Sequence, residues 1–311
     1  MLAVACTNPE EAGDPPAALS DSTTTTQAPT TTATTLPPPP AWEASAGDPA
    51  PEAKELATGV LQAIGTYREG EGTVVLAGER VTGLSLAPAV VDAAGPFLIP
   101  DAASTVEIVY PQLGGLTSTR ASIMTVIRHR TLISGEQRSV TRTVDVRLEL
   151  GPDGWSVTEL ASLGGDPPST PTPTPTGQQV IDNDRIELPD SAVWDIGAGG
   201  VDDVILQRLL DLAVDHTLSV TVLATGHPRN VFDSDNLSNH TAGRAVDIWA
   251  VDGVPVFDQR GEGSPLLELV RGELAAGVTE LGSPWDLDGA GGPSFTNAVH
   301  QDHLHLAYDG P

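Results

Sequence analysis

Two tracts rich in Pro and Thr divide this chain, and they constrain its folding more than any other feature. The first runs from Ser20 to Pro40, is almost entirely Thr, Pro, Ala and Ser, and ends in four consecutive prolines, Pro37 to Pro40. Such a composition cannot bury enough apolar surface to offset chain entropy, so residues 1–50 are expected to form an extended, disordered tether. The second tract, Asp166 to Gly177, repeats that chemistry in mid-chain and reads as a linker over 166–177. Two spacers imply two folded bodies, 51–165 and 178–311.

Charge and cysteine content narrow the function classes. Lys+Arg number 15 against 42 Asp+Glu, a formal net charge of -27, and Lys54 is the sole lysine. Nucleic acid and anionic membrane surfaces are therefore poor electrostatic partners. No run of about 18 apolar residues is present, so any membrane attachment must be a covalent anchor. The single cysteine, Cys6, excludes internal disulfides and Cys-rich zinc modules, and a metal site would have to use His and carboxylate.

The opening Met1-Leu-Ala-Val-Ala-Cys6 resembles the end of a bacterial lipoprotein signal, in which small residues precede a cysteine that becomes lipid-modified. Val4 and Ala5 fit that pattern, and the missing charged start is expected of either a start further upstream or a trimmed chain. The resemblance implies lipidation at Cys6 and an extracytoplasmic protein of the cell envelope, held on the outer face of the cytoplasmic membrane.

In the first body, Ala53, Leu56, Val60 and Ile64 fall at helical spacing after Pro51, predicting a helix over 51–68. Alternating segments at Thr73–Leu76, Thr105–Tyr110, Ala121–Arg128 and Val140–Leu150 read as strands, the last joined through Pro152-Asp153-Gly154 to a returning strand over 155–160. The pattern resembles cystatin-like or nuclear-transport-factor-like α+β domains. Its lone histidine, His129, lies between Arg128 and Arg130 and reads as part of a solvated strand end. A binding role, with an unspecified partner, is expected.

The other six histidines follow the second tract. Arg244 to Val251 alternates like a strand, putting Ala245, Asp247 and Trp249 on one face and Val246 and Ile248 on the other. A buried Asp247 needs a cation, a metal or several donors. His240 precedes it by seven residues, and Gly243 lets the loop turn back. In His300-Gln-Asp302-His303-Leu-His305, spacing of two puts His303 and His305 on one face. Two His and a carboxylate around zinc leave a fourth position open, the geometry of a hydrolytic site.

Ser238-x-His240-x-x-Gly243-x-Ala245-x-Asp247, followed far downstream by Asp302-His-Leu-His305, resembles the zinc D-Ala-D-Ala carboxypeptidases and L-alanyl-D-glutamate endopeptidases, which share a fold with the hedgehog signalling domain. The resemblance covers residues 200 to 309. It implies an α+β fold around a central antiparallel sheet, Zn2+ held by His240, Asp247 and His305, and peptidoglycan stem peptides as substrates of a metallopeptidase. Where the family has a glutamate as general base this chain has Asp302, one methylene shorter, and His303 is the competing proton carrier. Arg229 is expected to polarise the scissile carbonyl, with His227 in reserve, and Ser238 and His227 to contact substrate. The shortened acid leaves an alternative: a non-catalytic, zinc-containing cell-wall module or envelope interaction lipoprotein.

Overall fold

In the computed structural model, residues 36–308 are described; Cys6 and most of the first tract lie outside them. All described residues belong to one compact unit. Three short helices come first: α1 (Pro51–Gly65), α2 (Val74–Arg80) and α3 (Pro88–Ala93). Pro51 sits in the first turn of α1, where its missing N–H costs nothing, and Ala53, Ala57, Val60, Leu61 and Ile64 form the buried stripe. Thr73–Leu76 is not a strand. Thr73 instead caps α2, its hydroxyl accepting from the Leu76 N–H at 3.3 Å; capping chemistry outweighs the β-propensity of a short Thr-Val-Val run.

Four long strands follow as an antiparallel meander in the order β1 (Ala103–Leu116), β2 (Arg120–Ile133), β3 (Glu136–Gly151) and β4 (Gly154–Ser162). Val144, Val146 and Leu148 are buried together as alternation requires, whereas Leu150, beside the turn, is 40% exposed. The basic triplet is no solvated end. Period-two alternation turns His129 inward, where its Nε2 lies 2.8 Å from the Ser104 hydroxyl and its ring meets Phe97 edge-on, while Arg128 and Arg130 both pair with Glu107.

The remaining elements are α4 (Pro175–Ile181), β5 (Ile186–Glu187), α5 (Asp190–Gly197), α6 (Asp203–Leu212), β6 (Leu218–Val222), β7 (Ala245–Val251), β8 (Val254–Pro255), α7 (Pro265–Ala275), β9 (Glu280–Gly282), β10 (Ser294–Phe295) and β11 (Leu304–Ala307). The second sheet runs β10-β9-β11-β7-β6-β5, with β8 paired to β7. Its centre is antiparallel as expected, but β10/β9 and β5/β6 are parallel, so the sheet is mixed. Val246, Ile248, Leu304 and Leu306 point into a core shared with Ile205, Leu206 and Leu209 of α6 and Leu266 and Val270 of α7. Ser264 caps α7 with its hydroxyl accepting from Leu266 N–H.

The second Pro/Thr tract is ordered against this body. Thr172 N–H donates to Gly197 O at 2.8 Å, and Thr174 caps α4. Residues 36–50, placed in the tether by composition, also lie on the fold: Gln62 Nε2 donates to Pro40 O at 2.9 Å, and Asp48 is buried.

Helix α1 covers one face of the first sheet. The other face meets the Asp247 face of the second sheet: the Tyr110 ring of β1 stacks on Trp249 of β7 at 4.5 Å, and Thr143 of β3 donates to Thr221 O of β6 at 2.5 Å.

Candidate metal centre

The site is built on the pairing of β7 with β11, where Asp247 lies directly opposite His305. Directly opposed residues on one sheet face have Cβ atoms about 4.5–5.5 Å apart, within reach of a short carboxylate and an imidazole. His305 Nδ1 stands 2.9 Å from Asp247 Oδ1. His240 arrives from the loop before β7. Gly243 adopts φ +69° there, and a Cβ on it would meet Gly200 O at 2.2 Å, so only glycine turns the loop so tightly. His240 Nε2 then lies 3.1 Å from Asp247 Oδ1 and 3.2 Å from His305 Nδ1.

The partners behind these atoms fix their orientation. His240 Nδ1 is 2.7 Å from Leu223 O, which places the proton on Nδ1 and frees Nε2. His305 Nε2 is 3.4 Å from Glu280 of β9. The second oxygen of Asp247 accepts from Gln112 Nε2 of β1 at 2.7 Å. Burial alone would raise the Asp247 pKa, but the imidazoles of His240, His303 and His305 hold it well below the usual carboxylate range. Burial opposes the charge on His305, yet hydrogen bonds to Asp247 and Glu280 push its pKa up to about 9.

His227 stacks on His240, with ring centroids 4.0 Å apart and 14° between planes. His227, His240 and Asp247 form a group whose ligand atoms all lie within 4.8 Å of one another, and it could hold a metal ion. His227 Nδ1 faces its own neighbour's carbonyl, Pro228 O, at 2.7 Å. Burial, then the neighbouring His240, holds the His227 imidazole well below its usual pKa, and burial does the same to His300, so both are neutral.

A cavity of about 260 Å³ opens beside the cluster, lined among others by Ser238, His227, Asp247, His300, His303 and His305. Ser238 is thus in the cavity wall, its hydroxyl accepting from His240 N–H. Two of the candidate catalytic residues stand off this cavity. Asp302 does not line the cavity: it is fully buried, with Oδ1 on His303 Nδ1 at 2.8 Å and Oδ2 on Lys54 Nζ at 2.6 Å and Leu113 N at 2.9 Å. Its short side chain is held from behind, so it reaches the imidazole beside it and not the cavity. Arg229 is exposed and lines a neighbouring groove with Arg120, Arg147 and Asp233; its backbone carbonyl accepts from Ser238 N–H and the Thr241 hydroxyl.

Sequence reasoning missed Gln112, Lys54 and Glu280, and it named His300 in the second histidine cluster without giving it a role. Of the three missed, only Lys54 carried a signal, as the sole lysine of a strongly acidic chain. No family model matches the chain, and neither the curated proteins nor the solved structures contain a match to it.

Proposed function

We propose that this chain is a zinc-dependent metallopeptidase acting on peptidoglycan stem peptides at the bacterial cell envelope, anchored through Cys6. The observation that carries the reading is the convergence of His240 Nε2, Asp247 Oδ1 and His305 Nδ1, 2.9 to 3.2 Å apart. A tetrahedral zinc with bonds of about 2.0–2.1 Å has ligand–ligand edges of about 3.3 Å, so the donor set fits the ion. Each ligand also has a partner on its outer side, the arrangement that orients metal ligands. His227 fits less well as a ligand. Lone pairs of parallel stacked rings run side by side, whereas the planes of His240 and His305 meet at 52°. We therefore assign His240, Asp247 and His305 as ligands and His227 to the cavity wall.

Zinc, when bound, supplies Lewis acidity that polarises a scissile carbonyl and makes water nucleophilic near neutral pH. His303 is the proton carrier: Nδ1–H donates to Asp302, leaving Nε2 to accept a proton from the nucleophile and return it to the leaving amine. Its Nε2 is 3.9 Å from Asp247 Oδ2, beside the ligand cluster. Asp302 orients that ring. Ser238 and His227 border the cavity where substrate would lie.

A second reading, a zinc-containing module that binds wall peptides without cleaving them, draws support from Arg229, whose side chain faces another groove. Zinc content and stem-peptide hydrolysis of the wild type, His240→Ala and Asp247→Ala separate the two. One zinc per chain with turnover, both lost in the variants, supports the peptidase; zinc without turnover supports the binding module; variants that keep both refute the site.

A further inference from the structure

The sole lysine of the chain is buried where a charge is hardest to keep. Lys54, on α1, has no exposed surface, pairs with Asp48, and donates to Asp302 Oδ2 at 2.6 Å across 248 residues of sequence. Three other groups from the N-terminal half converge on the same few residues. Leu113 N–H donates to the Asp302 carboxylate, Tyr110 OH to the Asp302 carbonyl at 2.8 Å, and Gln112 to Asp247. Gly114 and Met124 line the cavity itself.

Adhesion between two sheets does not require this. A buried ion pair is generally no more stabilising than apolar residues of similar volume, because two ions must be desolvated to form it. Its effect on geometry is more specific. With a cation on one side, Asp302 stays ionised and can only accept hydrogen bonds, so His303 must turn Nδ1–H toward it and leave Nε2 unprotonated toward the cavity. A neutral carboxyl could donate to Nδ1 instead and reverse the tautomer.

We propose that the N-terminal half is an obligatory part of the catalytic apparatus, and that Lys54 is a positioning residue which acts through Asp302 to fix the tautomer and direction of His303. The kinetic part of this rests on the peptidase reading; the structural part does not.

The test uses the zinc-loaded full chain as wild type, Lys54→Met, Asp302→Asn and the double variant. Ring 15N shifts of His303, assigned by their loss in His303→Gln, report the tautomer. Circular dichroism and zinc content report fold and metal, and stem-peptide kinetics report turnover. In wild type the Nδ1–H form is expected. Each single variant should lose that preference and lower kcat about 10- to 100-fold, with KM and zinc content within about twofold. The double variant should fall no further than Lys54→Met alone, since both act through one contact. Wild-type shifts and kcat in Lys54→Met, or additive losses in the double variant, would overturn the proposal. If Lys54→Met does not fold, Asp302→Asn, which is isosteric, decides alone: an unchanged tautomer overturns it. If the wild type cleaves no stem peptide, the peptidase reading fails while the ring shifts still decide the relay.

Discussion

At the residue scale the buried titratable groups make the sharpest predictions. His129 lies in the first core on Ser104, and burial, reinforced by Arg142, lowers its pKa to about 4 from an ordinary 6.5. In the unfolded chain the imidazole binds its proton first, so between pH 6.5 and 4 the unfolded state holds more protons than the folded one. The contribution of His129 is therefore complete above pH 6.5 and lost as pH falls through that window, by roughly 3 kcal/mol. His129→Gln, which can keep a bond to Ser104, should flatten the slope of stability from pH 6.5 to 4 in urea titrations; an unchanged slope would show that the imidazole is not buried neutral. His303 makes the catalytic prediction. On the peptidase reading, His303→Ala should bind zinc as the wild type does and lose about 10²- to 10⁴-fold in kcat, the span of one proton-transfer group. Equal activity in the variant would remove His303 from the mechanism.

At the element scale, periodicity and register have to be separated. Alternation around Asp247 and through His303–His305 was legible from the residues, because a period of two needs no knowledge of the neighbouring strand. That Asp247 stands opposite His305 was not, since register depends on which strands pair and where. The same limit hid Glu280 and Gly282 of β9, which flank His305 on its other side. Thr73–Leu76 misled because a capping threonine and a strand threonine look alike over four residues. Gly282 carries a prediction of its own. A Cβ there would stand 2.3 Å from the His300 ring, which itself packs against His303 and His305. Gly282→Ala should destabilise by about 1–3 kcal/mol, the usual range for overpacking, and displace His300. Urea midpoints checked against Ser264→Ala, a cap removal worth about 1 kcal/mol far from the cavity, would separate the site effect from a general one.

At the scale of the whole molecule, the two Pro/Thr tracts suggested two bodies joined by a loose linker, and composition alone supports no other reading. What composition cannot express is contact: Lys54 on Asp302, Gln112 on Asp247 and Tyr110 on Trp249 each join residues more than 130 positions apart. Opening the junction would expose apolar rings and strip the Asp302 carboxylate of both Lys54 Nζ and Leu113 N–H, and removing one side of a buried ion pair costs about 3–5 kcal/mol. The halves should therefore unfold together. Calorimetry of the full chain is expected to give one transition, with calorimetric and van't Hoff enthalpies equal. If the proposed site binds zinc, the ion at 100 times its Kd should add about 2.7 kcal/mol and raise that single Tm, and chelation should reverse it. Amide exchange at Leu113, whose N–H sits on Asp302 and not on a metal ligand, should slow with the same zinc dependence as β7 and β11. Two transitions, with only the one belonging to residues 178–308 responding to zinc, would restore the picture of independent bodies and remove the N-terminal sheet from the site.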